Sequence, residues 1–214
     1  SMAKVTVSRE YLYALKGGML KMLSLGNPNL PVSGNEIYLW DGETLFPHEN
    51  SLMIGSRSGM YIYDLQDPGS PSLLSKYEHI RSCDPVVVDG AYAYVTLRSG
   101  TECEGFTNQL EVIDITNLSA PQLVKIYPMT NPHGLGIDGS LLFICDGADG
   151  LKVFDASNVE SIDANQLGHF PGIEALDIIP FRNVAMMIGE DGLYQYSYTN
   201  PADILLLSKL PFVK

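Results

Sequence analysis

Residues 84–100 read DPVVVDGAYAYVTLRSG, residues 101–109 read TECEGFTNQ, and residues 110–129 read LEVIDITNLSAPQLVKIYPM. Four short runs rich in Val, Ile, Tyr and Leu are separated by Asp-Gly, by Ser-Gly with the irregular stretch, and by Thr-Asn-Leu-Ser-Ala-Pro. β-branched and aromatic runs bounded by turn residues are how strands joined as hairpins read in sequence. The stretch is therefore a four-stranded antiparallel meander, with strands A to D in chain order. One meander of that size cannot bury both faces, so it needs neighbours of its own kind.

The third strand shows that the chain supplies them. LEVID at 110–114 recurs as LKVFD at 151–155 and MYIYD at 60–64, with weaker copies LYQYS at 193–197 and LKMLS at 20–24. The starts lie 40, 50, 41 and 42 residues apart, and the long interval holds the irregular insertion at 101–107. After each copy comes a turn of Gly, Asn, Asp, Ser and mostly Pro. A four-strand unit recurring every 40–50 residues is the period of a β-propeller blade, whose sheets pack face to face around a channel. The expected fold is all-β: one propeller domain over 1–214, with modules at about 3–41, 42–80, 81–129, 130–172 and 173–214. Module one is the least regular, with strands read at 4–9, 11–16 and 31–40. No segment keeps a 3.6-residue apolar period, so helix should be nearly absent.

Composition narrows the function. With 25 acidic residues against 13 basic and a net charge of −12, the chain lacks the cations that phosphate backbones or anionic membranes demand. No run approaches the ~20 apolar residues of a transmembrane helix. No secretory leader is visible behind Ser1-Met2, which leaves location open. No Ser-His-Asp order, nucleophile elbow or phosphate loop is present.

The L-x-V-x-D strand, its Thr/Ser-Asn and Pro-bearing turn, and the runs SCDPVVVDG and NPHGLGIDG resemble the LVIVD-repeat family. That resemblance is strongest in modules two to four; Ser replaces the Asp in modules one and five. It implies a β-propeller, usually in bacterial extracytoplasmic lipoproteins of the cell envelope or surface, with a lipid anchor upstream and no established activity. It also implies further repeats in other members, so that the chain would be part of a larger ring.

Candidate site residues come from blade geometry. D-to-A and B-to-C connections emerge on one face, where the innermost strand A begins beside the channel. Aligning the modules puts Glu43, Asp84, His133 and Glu174 at one equivalent position, the start of strand A. They are either solvated channel-lining residues or a site for a divalent cation such as calcium, or for a cationic or sugar ligand. Crowded carboxylates repel unless a cation or proton joins them. Arg57 and Arg98 fall at matching positions before Ser-Gly and either pair with these acids or face solvent. Trp40 lies near the same mouth and stacks on a sugar ring or packs at the rim. Cys83 and Cys103 leave one face of one blade, so a disulfide is geometrically reasonable; Cys145 would stay free. A Cys/His metal site with His133 has no C-x-x-C spacing behind it. Asp64, Asp114 and Asp155 are read as acceptors for the turns that follow them. The DGADG run at 146–150 is part of a calcium-like loop or a hairpin, the hairpin fitting better because no later bidentate Glu follows.

The functional reading is a non-enzymatic propeller binding a protein or carbohydrate at the channel-mouth face. The alternative is a metal-assisted hydrolase or lyase using the acid/His ring. With no module split between the termini, a closed five-bladed ring is expected, module five packing directly on module one through Val5, Val7, Leu12, Leu176, Ile178, Met186 and Ile188. Bare faces would otherwise expose a large apolar area, and dimerisation through open ends is the alternative.

Overall fold

Five four-stranded antiparallel sheets, each ordered as the chain runs, follow one another along the molecule. The computed structural model describes residues 3–78, 85–99 and 107–213. Blade one comprises β1 (Val5–Ser8), β2 (Tyr11–Lys16), β3 (Met19–Ser24) and β4 (Val32–Tyr38). Blade two holds β5 (Gly42–His48), β6 (Ser51–Ser56), β7 (Gly59–Asp64) and β8 (Ser72–Glu78). Blade three holds β9 (Val86–Asp89), β10 (Tyr92–Leu97), β11 (Gln109–Asp114) and β12 (Gln122–Pro128). Blade four holds β13 (Leu135–Asp138), β14 (Leu141–Cys145), β15 (Leu151–Asp155) and β16 (Gln166–Phe170). Blade five holds β17 (Ala175–Phe181), β18 (Val184–Gly189), β19 (Gly192–Ser197) and β20 (Leu205–Pro211). The one helical turn among the described residues, a 3-10 turn at Ile162–Asn165, docks on blade three: Ile162 N donates to Tyr127 Oη at 3.1 Å, and Tyr127 Oη donates to Val159 O at 2.6 Å.

The repeat read in the third strand has a physical cause. Asp64, Asp114 and Asp155 each accept a backbone N–H two residues on, from Gln66, Thr116 and Ser157, at 2.8–2.9 Å. Ser24 and Ser197 make the same bond more weakly, at 3.4 Å to Gly26 and Thr199, so the Ser copies keep the turn. Three residues later a second side chain repeats it: Asn27, Asp67, Asn117, Asn158 and Asn200 accept N–H groups at 3.1–3.3 Å. These tandem Asx turns satisfy backbone donors that leave the ladder between the third and fourth strands. The bonds to Thr116 and to Ser157 hold Asp114 and Asp155 below the usual carboxylate range.

Strands alternate two faces, so each of the three inner blades contributes to two cores and each end blade to one. Tyr13, Leu20 and Met22 meet Leu45, Leu52 and Ile54 between blades one and two. Met53, Met60 and Ile62 meet Val86, Ala93 and Val95 between two and three. Val87, Leu110 and Val112 meet Leu135, Leu142 and Phe154 between three and four. Phe143, Leu151 and Val153 meet Ala175, Met187 and Tyr196 between four and five.

No fifth core joins blade five to blade one among the described residues, and the expected closure does not occur. Val5 and Val7 are 52% and 56% exposed, and Met186 and Ile188 are 37% and 41% exposed. Ile178 points the other way, into the core with blade four, because a bulge at Leu176 shifts the β17 register. The five blades form an open arc with an apolar sheet face at each end. Mean hydropathy could not reveal this, since the outward positions of the end blades carry the same residue types as faces that are covered.

Candidate functional site

On the mouth face, two of the D-to-A connections are tied to the B-to-C turn of the blade they enter. In blade two the tie is Asp41, 1% exposed, which accepts bonds from Ser58 Oγ and from Tyr61 Oη at 3.2 Å, while its carbonyl accepts Arg57 N at 3.1 Å. Trp40, 62% exposed, is thereby set on the rim. In blade four the tie is Asp146, which is fully buried. Its carboxylate accepts Thr130 N at 3.1 Å, Asn131 N at 2.7 Å and Lys152 Nζ at 2.6 Å. Lys152 Nζ also meets Asp149 Oδ2 at 2.6 Å. A buried carboxylate needs a counter-charge and donors, and here the Lys152 ammonium supplies the charge between Asp146 and Asp149. The DGADG run is a hairpin connection. Burial opposes the charge on Lys152, but its bonds to Asp146 and Asp149 outweigh burial and keep its ammonium titrating above the ordinary range.

The anchored loop carries His133. Its N–H donates to Cys145 O at 2.6 Å, and its carbonyl accepts Thr96 Oγ1 of blade three at 2.7 Å. Arg98 Nη1 lies 2.8 Å from the imidazole nitrogens, and Asn131 Nδ2 lies 3.3 Å from Nε2. Burial, with the Arg98 guanidinium beside it, pushes the His133 pKa down to about 4. The ring is therefore neutral near pH 7, a hydrogen-bonding partner for Arg98 rather than a cation. Burial lowers the pKa of Arg98, and the charge of Glu174 opposes that.

Glu43 belongs to a separate group. Arg57 Nε reaches its Oε1 at 3.0 Å, and Lys4 Nζ its Oε2 at 3.5 Å. The structure thus brings Arg57 to Glu43, and Arg98 to His133 under the influence of Glu174. Asp84, Cys83 and Cys103 lie outside the described residues. Among the described residues, no three His, Cys, Asp or Glu side chains gather closely enough to share a metal. Cys145 is a free, buried cysteine whose thiol burial pushes well above its ordinary pKa.

Between blades one and two the mouth holds a cavity of about 170 Å³, lined by Lys4, Lys16, Trp40, Glu43 and Arg57 and by the Gly17-Gly18 turn. Lys16 escaped the sequence reading because strand-A alignment cannot see a B-to-C turn of the neighbouring blade, and Lys4 because it lies one residue past the aligned position, just before β1. Lys152 occupies the second position of the L-x-V-x-D strand. Polar residues recur there: Tyr61 reaches Asp41, and Glu111, 4% exposed, accepts Tyr77 Oη at 3.1 Å. A polar residue inside an otherwise buried strand was the available signal.

Taken together, the meander units, the tandem turns and the serial cores define a β-propeller-type protein. Within it, the LVIVD repeat model matches residues 80–129, consistent with an LVIVD-repeat family. No curated protein matches the chain. Among solved structures, the chain is similar to apo AztD from Citrobacter koseri, at 13% identity and a TM-score of 0.69 over 95% of this chain and 60% of that one. It is also similar to a functionally unknown protein from Desulfotomaculum acetoxidans DSM 771, at 9% identity and a TM-score of 0.78 over 98% and 69%. A chain of the mitotic checkpoint complex matches at 14% identity and a TM-score of 0.71 over 98% and 64%. At these identities the likeness shows the fold alone. The chain spans 60% of the length of AztD. No helix among the described residues is long and apolar enough to cross a membrane.

Proposed function

We propose that the chain is a non-enzymatic recognition module of the bacterial cell envelope whose ligand-binding surface is the mouth face. One observation carries this reading. Trp40, the ion pair Arg57–Glu43 and the hydrogen-bonded pair Arg98–His133 stand on that face, and Trp40, Arg57 and His133 lie on connections fixed by the buried Asp41 and Asp146. Rigidly held loops with exposed aromatic and charged groups suit binding, since little ordering cost remains when the ligand arrives. The cation reading of Glu43, Asp84, His133 and Glu174 is less well supported. Arg57 and Lys4 already neutralise Glu43, and the Arg98 guanidinium competes with any metal for the imidazole lone pair. Extracytoplasmic placement and an upstream lipid anchor rest on the LVIVD repeat, and a ligand of protein or carbohydrate type rests on the mouth chemistry.

A glycan and peptide array probed with the labelled chain tests this. Binding should fall in Trp40→Ala and Arg57→Ala and persist in His48→Ala, which alters a turn on the opposite face. Loss in His48→Ala alone would contradict the assignment of the face.

A further inference from the structure

Resting on that reading, we propose that the cavity between blades one and two binds a carboxylated pyranose, a uronic acid residue of an anionic polysaccharide. Three cations, Lys4, Lys16 and Arg57, surround it against one carboxylate, Glu43. In a chain of net charge −12 this local excess of positive charge runs against the average field. Arg57 and Lys4 are engaged with Glu43, whereas Lys16 is exposed and no carboxylate pairs with it among the described residues. Lys16 is therefore the free charge that an incoming carboxylate meets.

The rest of the cavity favours a sugar ring over other anions. Trp40 offers an exposed indole face, and the C–H face of a pyranose packs on such a ring while its hydroxyls stay hydrogen-bonded. The Gly17-Gly18 turn beside it has φ of +62° and +73°. A Cβ at Gly18 would lie 3.4 Å from Trp40 Cα, and Gly17 has nothing within 4 Å. Bare backbone thus runs beside the main chain of Trp40 and leaves room for a ligand to come close. The cavity of about 170 Å³ is smaller than the ~300–1,000 Å³ typical of drug-sized ligands, which suits one ring at a time. The wall itself is polar and suits the carboxylate and hydroxyls of the ring, while the apolar contact falls to the Trp40 indole at the rim.

Trp40 is the sole tryptophan of the chain, so its fluorescence reads this cavity without a label. The chain is titrated with tri-galacturonate, with neutral galactotriose and with a penta-glutamate peptide. The expected result is a saturable change in emission with tri-galacturonate, at least ~10-fold weaker for the neutral trisaccharide, as loss of one charged hydrogen bond implies. Lys16→Ala should weaken binding by a similar factor. High salt should weaken it too, because exposed charges are screened. Calorimetry with Trp40→Ala, whose replaced side chain is exposed and unneeded for folding, should show no binding. An equal response to the neutral sugar, a stronger one to penta-glutamate, or no response would each overturn the assignment. If tri-galacturonate fails here while array binding depends on Arg98 or His133, the uronic-acid assignment falls and the mouth-face reading stands.

Discussion

Lys152→Met would leave the carboxylate of Asp146 sealed in blade four without its counter-charge. The parent bond is short, 2.6 Å, the Asp146 side chain is fully buried and that of Lys152 is 14% exposed. Breaking one partner of a buried pair costs about 3–5 kcal/mol, because the other charge stays buried and unpaired. The N–H bonds from Thr130 and Asn131 survive the substitution, so the lower end, about 3 kcal/mol, is expected. The lost contact with Asp149, which is 32% exposed, adds at most about 1 kcal/mol because solvent screens it. For a chain of this size each kcal/mol moves the melting midpoint by about 2–4 °C, so a loss of about 3–4 kcal/mol gives a drop of roughly 6–16 °C by calorimetry or circular dichroism. Blades that touch only their neighbours can open locally, so amide exchange at Thr130 and Asn131 should accelerate as well. Pairing the change with Asp146→Asn should restore much of the loss, since a neutral amide needs no counter-charge. A Lys152→Met midpoint within ~2 °C of the parent would refute the reasoning, because so small a shift corresponds to 1 kcal/mol or less.

Three further outcomes follow from the same coordinates. The folded pKa of His133 lies below its unfolded value, at about 4 against 6.5. The stability it permits is fully present above pH 6.5 and is lost as pH falls toward 4; denaturation across that window should flatten in His133→Gln. Ile188→Lys, on the bare face of blade five, should cost no more than about 0.5 kcal/mol in urea denaturation, whereas Met187→Lys, pointing into blade four, should cost several times more; equal costs would mean that the end face is covered. Alkylation under non-reducing, denaturing conditions should label Cys145 alone if Cys83 and Cys103 are bonded, and Cys145 should resist labelling while folded because its thiol is buried; three labelled thiols would rule out the disulfide.

Much of the fold was legible because it repeats. A period of about 40 residues and an Asp at the end of three of the five third strands pointed to blades and to Asx turns, and both are present. The second Asx residue of each tandem turn went unread, since Asn and Asp in a loop look merely polar until their acceptor bonds are seen. Closure failed for a different reason. Alternation along a strand says which residues share a face but not whether a neighbour covers it, and the bulge in β17 reversed Ile178 without a sequence mark. The site was legible in part. Blade geometry brought Arg57 and Arg98 toward the mouth acids; Arg57 does meet Glu43, whereas Arg98 meets the His133 imidazole. It missed Lys16 and Asp146, whose roles depend on a neighbouring turn and on a buried charge that sequence distance conceals.

The most direct test of the mouth-face claim is an amide chemical-shift map of the chain titrated with the best ligand from the array. The shifts should cluster at Trp40, Glu43, Arg57 and His133, on the connections held by Asp41 and Asp146, and at Arg98 beside His133. Shifts confined to His48, Glu49, Asn50 and Thr116, at the cavity on the opposite face, would contradict it.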